Sequence, residues 1–405
     1  MMMMLTMACS NLAVLLFSLC CIVVSAGAFD VTSKNNVAVY YGQGPNQRPL
    51  SVYCADSNID IIILSFVHLF PQQANGYPGI NFGNQCSGER YSGPGAGAGA
   101  GAGVQKDASR DSLMKCPDLQ RDLQSCRRTN KKVLLSLGGA TPEYQLNGPL
   151  DGADFAHMLW GMFGPRQESW VSKGLPRPFD DGAAEFAVDG FDLDIEHAPA
   201  DNNFAGYKAL VSTLREIYAS HDGGGKTYYL TASPQCIVPD ANMAEILNAA
   251  AFDMIFVQFY NTPTCSARRW ADANPNYTPG GGGAARPDPA GLTFESWVWF
   301  LASSPHSQNA RVYLGLPGSP AAANPGSYVT SAQARALASA FYCNGRFGGI
   351  SIWEATYAAG NIEGGRNLNF FQNAKASLKG LWSDPRIPCG VSRPGYHQRG
   401  VPWIG

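Results

Sequence analysis

Residues 187–199 read AVDGFDLDIEHAP, and four acids fall within eight positions of that stretch: Asp189, Asp192, Asp194 and Glu196. The last three alternate with Phe191, Leu193 and Ile195. In a strand, residues two apart share a face and stand roughly 6–7 Å apart along the chain. Asp192, Asp194 and Glu196 are therefore read as one row of carboxylates backed by an apolar row. A solvated acidic face does not suit a central parallel strand, whose two faces are both covered. In a closed barrel the pattern makes sense. The apolar row meets the surrounding helices, and the acids point inward and climb towards the C-terminal rim, where such barrels carry their chemistry. Asp189 is out of phase with the row and is read as structural.

The rest of the chain has the alternation that a barrel requires. Strand candidates are residues 37–42, 59–70, 132–139, 189–197, 227–234, 253–261, 311–318 and 348–354, several of them rich in Val, Ile and Leu. Amphipathic stretches lie between most of them, including residues 204–221 and 331–343. Eight strands with helical crossovers in a chain of 405 residues predict an α/β fold, a (β/α)8 TIM barrel in a single domain spanning 29–405. A doubly wound open sheet is the rival, weakened by the strand count and by the lack of GxGxxG after the first strand. A Gly-Ala-rich run near 93–104 interrupts the connection after the second strand. Its side chains are too small to build a core, so it reads as a loop insertion.

Composition narrows the function classes. Hydrophobic residues make up 45% of the chain, charged residues 15%, and the net charge is −2. With no basic run or arginine-rich arm, nothing points to a nucleic-acid partner. The apolar stretch at residues 11–24, followed by Ala26-Gly27-Ala28, reads as a secretory signal peptide over 1–28. The last residues lack the apolar tail of a lipid-anchor signal. These features predict a secreted, extracellular protein with no membrane span, and nothing demands more than a monomer. Three of the eleven cysteines fall in the leader, leaving eight, an even number suited to disulfides in an oxidising compartment. With no CxxC pair, a structural zinc site is not expected.

The acid row carries the chemistry. Three carboxylates at this spacing do not all ionise comfortably, so at least one should hold a proton near neutral pH. Glu196, at the rim, has the reach of a general acid. A Ca²⁺ or Mg²⁺ site is the competing reading, but a straight row of oxygens does not wrap an ion as a loop does.

The motif DGFDLDIE, residues 189–196, resembles the DxxDxDxE signature of the family 18 glycoside hydrolases, the chitinases. LLSLGG (134–139) is similar to that family's SxGG motif. VYYGQ, VQFYN with the PTC after it, LGLPGSP and GGISIW are similar to segments of plant-type (class III) endochitinases. The resemblance implies hydrolysis of β-1,4 bonds between N-acetylglucosamine units of chitin, with retention and without metal or cofactor. Glu196 would be the general acid/base, and the substrate's own acetamido oxygen would be the nucleophile, the substrate-assisted exception to two-carboxylate hydrolysis. Asp194 would orient the acetamido group, Asp192 would hold or exchange a proton with Asp194, and Tyr260 would hydrogen-bond the acetamido oxygen. It further implies substrate binding by Tyr40, Gln43, Phe66, Asn81, Gln258 and Trp353, the last as the floor of the site. His197 and Glu354 are out of phase and are read as packing and non-catalytic residues. Three disulfides follow from the resemblance, Cys54–Cys126, Cys86–Cys116 and Cys236–Cys265; Cys343–Cys389 is left by arithmetic.

Departures from the pattern are Tyr41, where plant-type members usually carry Trp, and the Gly-Ala insertion. Asn276-Tyr277-Thr278 is a glycosylation sequon. An endo-β-N-acetylglucosaminidase acting on N-glycans, or a non-catalytic chitin-binding lectin or inhibitor on the same barrel, are the alternative functions.

Overall fold

Eight parallel strands close on themselves in the computed structural model, which describes residues 29–94, 107–199, 203–221, 225–277, 291–387 and 389. They are β1 (Asn36–Tyr41), β2 (Ile61–Leu69), β3 (Lys132–Gly139), β4 (Gly190–Ile195), β5 (Tyr229–Ala232), β6 (Met254–Gln258), β7 (Arg311–Pro317) and β8 (Phe347–Trp353). Each pairs with its neighbours, and β1 pairs with both β2 and β8, so the sheet has no open edge. That closure excludes the doubly wound alternative. Helices follow the strands, among them Pro117–Cys126, Pro149–Phe163, Ala205–His221, Phe294–Ser303, Ser331–Phe341 and Phe370–Ser383. The leader, most of the Gly-Ala run, Thr278 of the sequon and residues 390–405 lie outside the described residues. No helix among the described residues is long and apolar enough to cross a membrane.

Alternation along the strands builds two cores. Outward residues such as Val37, Val39, Leu135, Leu137, Phe191, Leu193, Leu314 and Ile352 pack beneath the helices in one large apolar shell. Inward residues Ala38, Tyr40, Ile61, Ile63, Leu134, Tyr229, Met254, Phe256 and Tyr313 fill the barrel itself. Burying one such side chain contributes roughly 1.5–3 kcal/mol. Tyr41 faces outward as its parity predicts, packed on Tyr53 with its hydroxyl donating to the Arg48 carbonyl. Two of the helices begin in capping boxes, Thr330 with Gln333 and Asn369 with Gln372, each satisfying two of the orphan donors of the first turn.

The four disulfides are Cys54–Cys126, Cys86–Cys116, Cys236–Cys265 and Cys343–Cys389. Asp189 sits below the acid row. Its carboxylate accepts the Val133 amide at 2.9 Å and pairs with Lys226 at 3.3 Å, which is a structural task. Strand ends are tighter than the sequence pattern predicts: β4 stops at Ile195 and β6 at Gln258, which leaves Glu196 and Tyr260 on the rim just past their strands.

Candidate active site

Strand register sets the floor of the site. Ser136, Asp192 and Thr231 are partners across β3, β4 and β5, so two hydroxyls flank one carboxyl. Ser136 Oγ donates to Asp192 Oδ2 at 2.7 Å and Thr231 Oγ1 to Oδ1 at 2.6 Å. The Tyr40 hydroxyl adds a third bond to Oδ2 at 3.2 Å. Asp192 is fully buried. Burial pushes its carboxyl up to about 6, with the three hydroxyl donors pulling the other way.

One layer higher, Gly138 is the partner of Asp194. Gly138 has φ of +110°, and a Cβ there would stand 2.2 Å from the Asp194 carbonyl oxygen. Only glycine lets β3 run this close, and its missing side chain leaves room above the acids. Asp194 Oδ1 accepts from Ser233 Oγ and from Gln258 Nε2, both at 2.9 Å. Burial, and then the negative charges of Glu196 and Asp192, hold the Asp194 carboxyl well above the usual range.

Glu196 occupies the rim. Its Oε1 accepts from the same Gln258 amide at 3.4 Å. Burial raises its pKa and nearby Asp240 raises it further, while the bonds to Gln258 and Asp194 lower it. Burial therefore favours the protonated form of both Asp194 and Glu196, and the two titrate as a pair. The backbone at Glu196 is fixed from outside the barrel: its amide donates to the Tyr144 hydroxyl at 2.9 Å, and that hydroxyl donates to the carbonyls of Gly139 and Asp194. His197 lies at a tilt on the Tyr144 ring with centroids 4.2 Å apart and its Nε2 is 2.9 Å from the Tyr144 carbonyl, so it packs and does not line the cleft.

The acids open into a cleft of about 300 Å³, whose lining includes Gln43, Phe66, Asn81, Glu196, Tyr260 and Trp353. Trp353 stacks on Phe66 with centroids 5.8 Å apart and tilts over Tyr40 at 5.7 Å, an aromatic floor suited to the apolar face of a pyranose. Tyr260 is buried at the rim, and burial with the charges of Asp194 and Glu196 keeps its phenol protonated, a donor aimed at the cleft. Gln43 Nε2 donates to the carbonyls of Ser65 and Asn81, tying the loop after β1 to β2. Glu354 turns away from the cleft and caps the helix Ala355–Gly360, accepting the Tyr357 amide at 2.9 Å.

All ten predicted catalytic and binding residues converge at this end of the barrel. The pattern reading missed others: Ser136, Thr231 and Ser233, which bond to the acids, and Tyr144, His68, Gln235 and Asn261. Ser136 and Thr231 stand at inward positions of their strands, and Ser233, just past β5, continues the same face, a signal available from parity once strand pairing is assumed. Tyr144 stands in a loop and no periodicity marks it. Among the described residues, no group of three or more His, Cys, Asp or Glu side chains is placed to hold a metal ion.

Comparison with known proteins agrees with this geometry. Residues 36–319 match the model for glycosyl hydrolases family 18. Endochitinase A1 of Aspergillus fumigatus is 40% identical over 341 residues, 83% of this chain and 36% of that protein. Endochitinase A of Aspergillus niger is 38% identical over 366 residues, 89% of this chain and 26% of that protein. The chain thus spans about a third or less of the length of these relatives. Among solved structures, the xylanase and alpha-amylase inhibitor protein XAIP-II from Scadoxus multiflorus superposes with a TM-score of 0.58 at 25% identity, over 85% of this chain and 98% of that one. The ICChI chitinase from Ipomoea carnea, at 24% identity and a TM-score of 0.57 over 84% and 99%, shares the fold. With a family match over most of the barrel and relatives near 40% identity along most of its length, this chain belongs to the glycosyl hydrolases family 18.

Proposed function

We propose that the chain is a secreted endochitinase, cutting internal β-1,4 bonds between N-acetylglucosamine units with retention of configuration. The observation that carries this reading is the acid row Asp192, Asp194 and Glu196, its upper two carboxylates bridged by the Gln258 amide and facing a cleft with an aromatic floor and the Tyr260 phenol. Glu196 protonates the glycosidic oxygen and later takes a proton from water. The acetamido oxygen of the bound sugar attacks the anomeric carbon, so no protein carboxylate is needed as nucleophile. Asp194 holds the acetamido nitrogen while Asp192, whose carboxyl titrates near 6, exchanges a proton with it. Tyr260 donates to the acetamido oxygen and fixes it for attack. Tyr40, Gln43, Phe66, Asn81, Gln258 and Trp353 hold the chain of sugars.

An inhibitor role would rest on the likeness to XAIP-II, and the intact set Asp192, Asp194, Glu196 and Tyr260 weighs against it. Four disulfides favour an oxidising compartment and hence a cleaved leader over 1–28 ahead of a single domain.

The test is a timed digestion of N-acetylglucosamine hexamer, with product lengths and anomers resolved. Internal cleavage to β-anomers is expected from the wild type, and a loss of roughly 10²–10⁴-fold in Glu196→Gln. No cleavage by a correctly folded wild type would sink the reading. Hydrolysis of an N-glycan core in its place would give the site to the glycan enzyme.

A further inference from the structure

His68 lines the cleft, yet the reaction proposed above gives it no task. Its position comes from an irregularity in β2. Ile61 and Ile63 face the barrel interior, and plain alternation would send Ser65 and Val67 after them. The pairing of β2 with β3 shifts register between Leu64 and Val67. Val67 therefore joins the outer core, while Phe66 and His68 turn into the cleft.

The imidazole is held in an asymmetric setting. Nδ1 is enclosed and has no hydrogen-bond partner among the described residues. An enclosed N–H without an acceptor is costlier than a bare ring nitrogen, so the proton belongs on Nε2. Nε2 is not among the enclosed unpartnered atoms, which leaves it as the nitrogen available to the cleft that the ring lines. Burial lowers the pKa of His68 below its ordinary value, with Glu143 opposing, so the ring is neutral at neutral pH. The cleft is thus offered one directed N–H donor, beside the aromatic ring of Phe66 and the polar side chains of Asn81 and Thr141.

We propose that His68 is a substrate-binding residue whose Nε2–H donates to an oxygen of a sugar unit beyond the one that reacts. This deepens, and rests on, the reading of the cleft as a chito-oligosaccharide site. The separation follows from what lines each part of the site. The pocket directly beside Asp194 is lined by Tyr40, Tyr260 and Trp353, whereas His68 lines only the wider cleft outside it, with Asn81 and Thr141. His68 therefore meets a unit of the polymer that a short substrate does not place there.

The experiment is steady-state hydrolysis by the full chain and by His68→Ala and His68→Gln, on N-acetylglucosamine hexamer and on a chromogenic glycoside of the single sugar. In His68→Ala the hexamer KM should rise about five- to tenfold with kcat within about twofold, the mark of lost uniform binding. The monosaccharide glycoside should be cut at the wild-type rate, and His68→Gln, which restores an N–H donor, should recover most of the hexamer KM. An unchanged hexamer KM in His68→Ala would overturn the proposal. So would an equal loss on both substrates, which would mark a structural role. Inactive wild type on both substrates refutes the parent reading first, and this inference with it. Ring ¹⁵N shifts, assigned by the signal missing from His68→Gln, give a check independent of activity: a proton on Nε2 is expected, and one on Nδ1 refutes the geometry.

Discussion

Asp192 is the residue whose surroundings are most completely specified. Ser136, Thr231 and Tyr40 give it three hydroxyl bonds, yet burial still raises its pKa to about 6. A carboxyl with a raised folded-state pKa binds its proton more tightly in the folded chain than in the unfolded one. Its stabilising contribution is therefore full below the unfolded value near 3.9 and is lost as pH rises through about 6. The stability of the wild type relative to Asp192→Asn should fall by up to roughly 3 kcal/mol between about pH 4 and pH 7 and then stay level. Chemical denaturation of both proteins across that range is the check, and a difference independent of pH would refute the assignment. Asp240 makes a second case. It is buried, accepts the amides of Gln235, Asn242 and Met243, and raises the pKa of Glu196. Removing its charge in Asp240→Asn should let Glu196 lose its proton sooner. The alkaline limb of the kcat/KM profile should then move to lower pH, and a profile that stays in place would show that the charge is not felt. Tyr260→Phe removes one donor with little change of shape and should lower kcat by roughly 10²-fold, more than it changes KM.

At the scale of elements, the acid row and its neighbours show what pattern reveals and what it leaves out. Period-two alternation in residues 191–196 separates the apolar and acidic faces, and the same alternation in β3, β6 and β8 puts Ser136, Gln258 and Trp353 inside. Those faces are legible because each strand packs against helices on one side and the barrel interior on the other. Two things resist this reading. The register shift in β2 depends on how that strand pairs with β3, and no local pattern in residues 59–70 announces it. Tyr144 reaches Glu196 from a loop, where side-chain direction follows from the whole fold. Gly138 belongs with the legible features, since the SLGG motif marks it, but its reason is visible only in the β3–β4 pair. In Gly138→Ala the new Cβ, at a φ of +110° and 2.2 Å from a carbonyl oxygen, has backbone in its way and not a yielding side chain. The end of β4 must move, and the acids with it. We expect a melting temperature lowered by several degrees, a loss of about 2 kcal/mol or more, and a fall in kcat/KM out of proportion to the lost stability. Wild-type activity in this variant would show that β3 does not constrain the acid row.

Over the whole molecule, the cleft and the joint between β1 and the helix Phe370–Ser383 lie at opposite ends of the barrel. The C-terminal rim carries Glu196, Tyr260 and Trp353, while the strand beginnings carry the joint between the first strand and the last helix. Lys375, buried on the helix Phe370–Ser383, donates to Asp60 Oδ2 at 2.6 Å and to the Asn35 carbonyl at 2.7 Å. The same Asp60 oxygen accepts the Val37 amide at 2.7 Å. One ion pair thus fastens the last helix beneath β1, where the barrel closes on itself. Lys375→Ala would leave Asp60 without its ion-pair partner, with only the more distant charge of Lys131 to offset it. Losing one partner of a buried pair costs roughly 3–5 kcal/mol, and because Asp60 keeps 23% of its side-chain surface in water the lower end applies, about 3 kcal/mol. Lys375→Met keeps most of the apolar stem and should lose less than the alanine variant if packing shares in the effect. Because the joint is remote from the acids, kcat/KM at temperatures well below melting should match the wild type in both variants. Thermal melts paired with steady-state kinetics decide the point: reduced stability with intact kinetics is expected, whereas unchanged stability, or a kinetic defect in the folded variant, would mean that the closure at the strand beginnings does not work independently of the site.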